Sequence, residues 1–524
     1  MEFILQLKAF SYSLLCIGLM NVSYAMPIDE FQKLHQNLSN TKNGQVTSNA
    51  IAAGSYVTTT SITRPLLTYT HDGGATWFYP ASIFSALPTD VASLASFTGA
   101  ICSKLNCLAS GFYQRLLPTN STPVSYPILG VSNDAAITWI YPTTIVSSVP
   151  SDFGSGSFTG SPWCSDDNCV VAGNYLNMAV TPLQKPLLAT SHDAGSTWNY
   201  PSTIISNLPA DFLDQGFFNG VTCEAINCYA VGQYQSSTSD FFPLLSQSSD
   251  AGMTWTYATT IRSNLPANFS KAGIFKSVSC NTAGCVAVGE YATSLPGTPH
   301  YPLIAVSSNG ISWNYPATVL TNLPSDFLSA PAVNAVSCNA DNCTAVGQYT
   351  SNKAGNLSFP LLLTTHDGGN TWSYPLTIVK NLPPDFKSVG SFNGAICNRN
   401  ICIAVGSYQS KVFNNQLMPL LANSLDGGKT WSYPPSVIAN LSTLPNSILN
   451  GTFNSASCNR TDCIAEGQYE STLPGVPYFP LLATSHDSGA TWTYSTTVLS
   501  NLPSDYFNHG VFSGGNSSYT LKKT

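Results

Sequence analysis

Three carboxylates are the first candidates for catalysis, because they interrupt or lie outside a pattern repeated along the chain. Glu466 stands where the pattern elsewhere has Ala, Ser or Val, Glu290 stands where it has Gln, Ser, Asn or Phe, and Asp240 lies in a variable loop. A glycosidase needs two carboxyl groups about 5–9.5 Å apart. Glu290 and Glu466 lie three repeats apart, so the sequence does not place them in one site. Each of the three is also explained as a hydrogen-bonded or rim residue.

The histidines and nucleophiles do not form a second catalytic set. Four histidines occupy one repeat position and are separated by one or more repeats: His71, His192, His366 and His486. This pattern predicts turn residues rather than a metal cluster. The chain has no Ser-His-Asp order, phosphate loop or dinucleotide fingerprint. We therefore predict no metal and no cofactor.

The composition favours an all-β extracellular protein. Only 45 of 524 residues are charged, which is 9%, and the net charge is −7; an ordinary soluble domain has roughly 25% charged residues. So few basic residues argue against nucleic-acid binding. After the N-terminus no apolar run reaches the roughly 18 residues of a membrane span. Uncharged polar residues, aromatics and turn formers make up much of the rest.

The first 25 residues resemble an export signal. Lys8 precedes an apolar stretch at 13–20, and Ser23-Tyr24-Ala25 offers small residues where a signal peptidase reads. We predict cleavage after Ala25, and therefore a secreted or periplasmic protein. Cys16 allows a lipoprotein as the rival, although Leu15 before it is large for lipid attachment. Residues 26–50 are interpreted as a polar leader.

Residues 51–524 contain eight copies of one unit of about 59 residues. The units are marked by tryptophans 57 to 62 residues apart: Trp77, Trp139, Trp198, Trp255, Trp313, Trp372, Trp431 and Trp492. Each unit has four short β-branched or aromatic segments bounded by turn formers, which predicts four antiparallel strands. A Leu-Pro-x-Asp-Phe stretch between units predicts one helical turn.

Eight four-stranded units predict an all-β fold, an eight-bladed β-propeller. The first unit lacks a first strand, and the C-terminus carries a matching segment at 510–513. We therefore expect the C-terminal strand to complete the first blade and close the ring.

Each tryptophan ends a phrase of the form Ser/Thr-x-Asp-x-Gly-x-Thr-Trp. Asp accepts backbone N–H groups across a tight turn and Gly supplies positive φ. The phrase resembles the repeat of the Asp-box (bacterial neuraminidase repeat) propellers, which include sialidases, sortilin-type receptors and xyloglucan-cleaving enzymes. That resemblance implies a structural role for the Asp position, although metal or sugar binding is the alternative. The residues at this position are Asp72, Asp134, Asp193, Asp250, Asn309, Asp367, Asp426 and Asp487.

The same resemblance does not extend to sialidase chemistry. A sialidase needs three converging arginines, whereas this chain has five in total and lacks the Arg-Ile-Pro signature. Arg399 and Arg460 lie inside cysteine turns, at the end of the units opposite to where such enzymes act.

Seven Cys-x4-Cys pairs span the predicted turns between first and second strands. Flanking positions of a hairpin face each other at disulfide distance, and an even count in an exported chain favours disulfides. Zinc thiolate sites are the rival, but each pair supplies two of four ligands and no His accompanies it. The predicted disulfides are Cys102 with Cys107, Cys164 with Cys169, Cys223 with Cys228, Cys280 with Cys285, Cys338 with Cys343, Cys397 with Cys402, and Cys458 with Cys463.

Ligand binding is expected on the variable loops between second and third strands, because variable loops on a rigid scaffold carry function. The candidate contacts are Phe241, Phe413 and Tyr478 in these loops, and Trp163 on a first strand; core packing is the alternative for Trp163. We predict a monomeric module that binds a glycan or an extracellular protein without catalysis. The alternative is an exported glycoside hydrolase.

Overall fold

The computed structural model describes residues 47–116, 122–353, 355, 357–445, 447–474 and 477–520. The predicted signal peptide and most of the polar leader lie outside these residues. Within them the chain is nearly all β, with many antiparallel sheets. The strands are numbered β1–β27 along the chain and fall into four classes according to their place in the repeated unit.

The first strands are β3 (Val91–Ser103), β6 (Phe153–Phe158) with β7 (Trp163–Ser165), β10 (Phe212–Glu224), β14 (Phe269–Asn281), β17 (Phe327–Asn339), β20 (Phe386–Asn398), β23 (Ile448–Asn459) and β27 (Tyr506–Thr520). The second strands are β1 (Thr47–Thr58), β4 (Asn106–Arg115), β8 (Asn168–Asn177), β11 (Asn227–Ser236), β15 (Gly284–Thr293), β18 (Asn342–Ser351), β21 (Ile401–Ser410) and β24 (Asp462–Ser471). The third strands are β2 (Thr63–Thr70), β5 (Val124–Ser132), β9 (Gln184–Ser191), β12 (Phe241–Ser248), β16 (His300–Ser307), β19 (Ser358–Thr365), β22 (Leu417–Ser424) and β25 (Tyr478–Ser485).

The fourth strand of each unit is much shorter than predicted. Two units have a two-residue strand, β13 (Thr256–Tyr257) and β26 (Thr493–Tyr494), and the other six have a single bridge residue. In those six, Pro follows the Tyr after the bridge, and Pro has no N–H to continue the ladder. Ala258 and Ser495 replace that Pro in the two longer cases, and each donates its N–H to the third strand, at 3.0 Å.

Eight four-residue helices lie between the fourth strand of one unit and the first strand of the next: α1 (Ser82–Ser85), α2 (Thr144–Ser147), α3 (Thr203–Ser206), α4 (Thr260–Ser263), α5 (Thr318–Thr321), α6 (Thr377–Lys380), α7 (Ser436–Ala439) and α8 (Thr497–Ser500). A 3₁₀ turn at Asn440–Thr443 follows α7. The predicted helical turn is therefore upstream of Leu-Pro-x-Asp. The Leu of this stretch directly precedes Pro, and the helical backbone conformation is sterically disfavoured for a residue in that position.

The C-terminal strand pairs with the first strand of the chain. β27 runs antiparallel to β1, with Ala52 opposite Gly515 and Ser55 opposite Val511. The segment foreseen at 510–513 is thus part of a 15-residue strand.

Neighbouring units are joined by one repeated hydrogen bond. The backbone N–H of each phrase Trp donates, over 2.9–3.1 Å, to the hydroxyl of the first residue of the preceding unit's helix. Seven of these bonds span 52 to 57 positions, and the eighth joins Trp77 to Thr497 across 420. All eight indoles are at most 2% exposed and pack between sheets.

The seven predicted disulfides are confirmed. Each joins the end of a first strand to the start of the second strand of the same unit, with Cα atoms 4.0–4.2 Å apart. The two cysteines of each pair are direct cross-strand partners, which explains why they reach bonding distance. The zinc alternative is therefore excluded for these residues. The bonds join Cys102 to Cys107, Cys164 to Cys169, Cys223 to Cys228, Cys280 to Cys285, Cys338 to Cys343, Cys397 to Cys402, and Cys458 to Cys463.

Candidate functional site

One end of the units carries the loops between second and third strands and the Leu-Pro-x-Asp connections; we call it the loop face. There a second-strand Tyr donates its hydroxyl to the Asp of the connection that precedes it. The bond is 3.1 Å from Tyr175 to Asp152 and 3.2 Å from Tyr234 to Asp211. Burial is the largest cause that raises the pKa of Tyr234, to about 12.

These Asp–Tyr pairs were missed in the sequence, although a signal exists. The two residues are 23 positions apart in six units, including Asp90–Tyr113 and the Asn268–Tyr291 variant. In the first unit Tyr56 bonds instead to Asp505, at 2.7 Å across 449 positions. A constant spacing between a polar pair across two strands is the pattern that would have revealed the contact.

In five of the Asp–Tyr pairs, a Lys or Arg side chain also contacts the Asp carboxylate. Lys185 contacts Asp152 at 2.7 Å and Lys353 contacts Asp326 at 3.2 Å. Three arginines do the same in three different units: Arg64 with Asp505, Arg115 with Asp90 and Arg262 with Asp211. Because each of these three arginines is paired with a different carboxylate, they do not converge on one anion.

A cleft opens beside the Asp–Tyr pair in three units. The cleft volumes are 370, 380 and 570 Å³, at Asn268–Tyr291, Asp152–Tyr175 and Asp90–Tyr113 respectively. Each is walled by the Pro and Leu or Ile of a third strand and by the Tyr-Pro that precedes a short helix. The walls are mostly apolar, and the tyrosine and the Asp or Asn side chain supply polar atoms.

The loop face also carries exposed aromatic residues where the last unit meets β27. Tyr478 stacks on His509, with ring centroids 5.4 Å apart and planes 13° apart. The Tyr478 backbone N–H donates to Asn508 Oδ1 at 2.7 Å, which fixes the stack. Phe507, two residues before His509 on β27, is 62% exposed. Phe507 and His509 were not foreseen, because they lie outside the variable loops.

The four predicted ligand aromatics lie in four different units and are not brought together. Phe241 begins β12 and pairs with Ala272 of the next unit. Phe413 packs against the core of the seventh unit, and Trp163 packs against the core between the third and fourth units. Trp163 is next to Cys164, at the end opposite to the loop face. Of the four, Tyr478 is half-buried and stacks on the exposed His509.

The three predicted carboxylates are also separate, and each is engaged or sealed. Glu290 bonds to Lys276 at 2.8 Å, and Asp240 accepts the Thr238 hydroxyl at 2.9 Å. Glu466 is fully buried, and the Ser455 hydroxyl lies beside its carboxyl group. Burial raises its pKa to about 8.

The phrase carboxylates are saturated by their own turns at the other end of the units. Asp193 accepts the Thr197 N–H at 2.8 Å, the Thr197 hydroxyl at 2.6 Å and the Ser191 hydroxyl at 2.8 Å. The corresponding three bonds occur at Asp72, Asp134, Asp250, Asp367, Asp426 and Asp487. This end of the units is called the turn face.

The shortened fifth phrase has a different arrangement. Asn309 accepts the Ile311 and Ser312 N–H groups, both at 2.9 Å. In the other seven phrases the indole N–H donates to the carbonyl three residues earlier, but among the described residues the Trp313 indole has no acceptor. The Tyr229 ring fills the place of the missing residue and meets Trp313 edge-on, with centroids 6.0 Å apart.

The histidines of the phrases make side-chain contacts with Asn or Asp residues of second strands. The Nδ1 atoms of His71, His192 and His366 lie 2.8 Å from the amide oxygens of Asn49, Asn168 and Asn342. His486 makes the equivalent contact with Asp462 at 3.0 Å. Among the residues described, no three His, Cys, Asp or Glu side chains are placed to hold a metal ion. No helix within the described ranges is long and apolar enough to cross a membrane.

No family model matches the chain, and no curated protein matches it. Among solved structures, a Hadza microbial sialidase is 10% identical, with 86% of this chain and 90% of that chain covered and a TM-score of 0.35. A Penicillium chrysogenum α-L-arabinanase complexed with arabinobiose is 12% identical, covering 64% and 94%, with a TM-score of 0.34. YCF48 bound to D1 peptide is 14% identical, covering 54% and 81%, with a TM-score of 0.26. Likenesses this weak carry no argument about function.

Proposed function

We propose that residues 47–520 form a closed propeller of eight blades, one for each Trp-containing unit. The repeated bond from the Trp N–H to the preceding unit's helix supports this, because its eighth copy runs from Trp77 to Thr497. The pairing of β27 with β1 supports it as well. An unclosed arrangement would leave the inner edge of β1 open, and open edges are prone to aggregation.

We further propose that the protein is exported and binds a glycan or an extracellular protein through the loop face, as a monomer and without catalysis. The absence of catalysis is inferred from the way in which each candidate carboxylate is paired or buried. Glu290 is paired with Lys276, Asp240 is held within its own loop and Glu466 is sealed from solvent. A glycosidase needs two accessible carboxyl groups within about 5–9.5 Å. The seven disulfides fit an oxidising compartment.

The proposed binding surface is the group of loop-face aromatic residues Phe507, Tyr478 and His509. Flat aromatic side chains supply large contact area at low entropic cost, and their polar tips bind through hydrogen bonds. Both a sugar ring and an apolar peptide side chain present surfaces that suit such rings.

A glycan array probed with the full chain, combined with a hydrolysis assay on the same glycans, tests the proposal. We expect binding without product release, and loss of binding in Phe507→Ala and Tyr478→Ala. Met253→Ala is the matched control, because Met253 is 59% exposed but lies on the turn face. If no glycan binds, the same three variants are tested against captured extracellular proteins. Hydrolysis that disappears in Glu290→Gln would establish the hydrolase alternative instead.

A further inference from the structure

Glu466 lies at the interface where the last unit meets the C-terminal strand. It sits on β24, and β24 packs against β27. A Cβ atom on Gly515 of β27 would lie 2.7 Å from Glu466 Oε2, so the carboxyl group occupies the space left by this glycine. We call the contact between β24 and β27 the closing seam.

The repeat shows that this acid is a local departure. The seven equivalent second-strand positions hold small or apolar residues: Ala53, Ser110, Ala172, Val231, Val288, Val346 and Val405. The first-strand position of Gly515 holds Ala or Val in six other units: Ala100, Val221, Val278, Val336, Ala395 and Ala456. At the closing seam, Glu466 and Gly515 therefore stand at the two positions that hold small or apolar residues in other units.

The surroundings of Glu466 favour its uncharged form. Ser455 of β23 and Leu482 of β25 are its cross-strand partners, and Gly515 faces it from β27 opposite Ala52 of β1. None of these residues carries a charge, and no charged side chain among the described residues contributes to its pKa. Burial disfavours the carboxylate, and the Ser455 hydroxyl offsets this only in part.

The strand that β24 packs against is also the least covalently tied first strand. In each of the other seven units a hairpin and a disulfide tie the first strand to the second. β27 and β1 lie at opposite ends of the chain and are joined by neither. β27 can therefore leave without any covalent bond being broken.

We propose that Glu466 is a pH-operated latch on the closing seam: its neutral carboxylic acid keeps β27 packed on β24, and its ionised form releases the C-terminal strand. This inference rests on the closed ring proposed above. When the seam opens, the carboxyl proton passes to water. Since the folded-state pKa is about 8 and the ordinary value is 4.5, the latch is fully stabilising below pH 4.5 and weakens as the pH rises toward 8. Opening should increase by up to about tenfold per pH unit across that window.

Hydrogen exchange of the full chain, corrected for the intrinsic chemical rate, tests the latch at pH 5, 6, 7 and 8. We expect peptides covering 506–520 to exchange at least about tenfold faster at pH 8 than at pH 5, while peptides from β10 do not change. Glu466→Gln and Glu466→Val should abolish the rise. Glu470→Gln is the matched control on the same strand, and it should keep the rise.

Three outcomes would overturn the latch: a rise that persists in Glu466→Gln, an equal rise in β10, or no rise in the wild type. The comparison of β27 with β10 uses the wild type alone and stands even if a variant does not fold. Absence of protection in β27 at every pH is a different result, because it would refute ring closure itself.

Discussion

Replacing Phe512 by alanine should destabilise the protein as strongly as a core substitution in any of the other units. Phe512 lies near the C-terminus, where a free tail would tolerate any change. Its side chain is nevertheless 0% exposed and packs in a cluster with Tyr56, Leu66 and Trp77 of the first unit and Leu482 of the last. Its carbonyl accepts the Asn454 side-chain amide at 2.8 Å.

The expected loss is about 3–5 kcal/mol in the free energy of unfolding, the range for truncating a fully buried Phe. Phe507→Ala lies five residues earlier on the same strand, where the side chain is 62% exposed, and should change stability by no more than about 0.5 kcal/mol. Phe453→Ala removes the equivalent buried ring from the last unit and should match Phe512→Ala.

Urea unfolding followed by tryptophan fluorescence measures the difference, with the disulfides kept intact and the oligomeric state checked by light scattering. If Phe512→Ala and Phe507→Ala unfold at the same urea concentration, the C-terminal strand does not seal the core and the packing argument is refuted. If Phe453→Ala also leaves the urea midpoint unchanged, the assay does not detect the loss of a buried Phe and the result does not test the seam.

Three further predictions concern other units of the repeat. Tyr229→Val introduces a residue found at this position in other units, yet we expect a loss of about 2–4 kcal/mol, because the Tyr ring fills the gap beside Trp313; an unchanged urea midpoint would contradict this. Hydrogen bonds from Thr197 and Ser191 outweigh burial and lower the pKa of Asp193, so its stabilising effect is present above pH 3.8 and is lost as the pH falls through the folded value. Asp193→Asn should therefore flatten the fall in urea midpoint between pH 5 and pH 2. Replacing both Cys458 and Cys463 by serine should cost about 2 kcal/mol, the loop-closure entropy of so short a ring, and calorimetry of both forms at pH 7 measures it.

Features that depend on a few consecutive residues could be predicted from the sequence. The phrase turns and the seven disulfides belong to this group, because a tight turn or a hairpin brings neighbours in the chain together whatever the rest of the fold does. The shortness of the fourth strands was missed, although its signal is equally local: a Pro after the bridging segment stops the ladder. The match between the first unit and the C-terminal segment pointed to the pairing of β27 with β1.

The chemistry of the candidate residues was decided by the tertiary structure. The sequence shows Glu466 as a departure from the repeat, but its burial arises because its strand face packs against Gly515 of β27 in the neighbouring unit. The aromatic candidates Trp163, Phe241, Phe413 and Tyr478 are separated by the same assembly, since each of them lies in a different unit. The sequence alone determined the unit, its turns and its covalent cross-links through local geometry. Which side chains meet, and which lose water, depended on contacts between units, because burial and charge pairing are properties of what packs opposite.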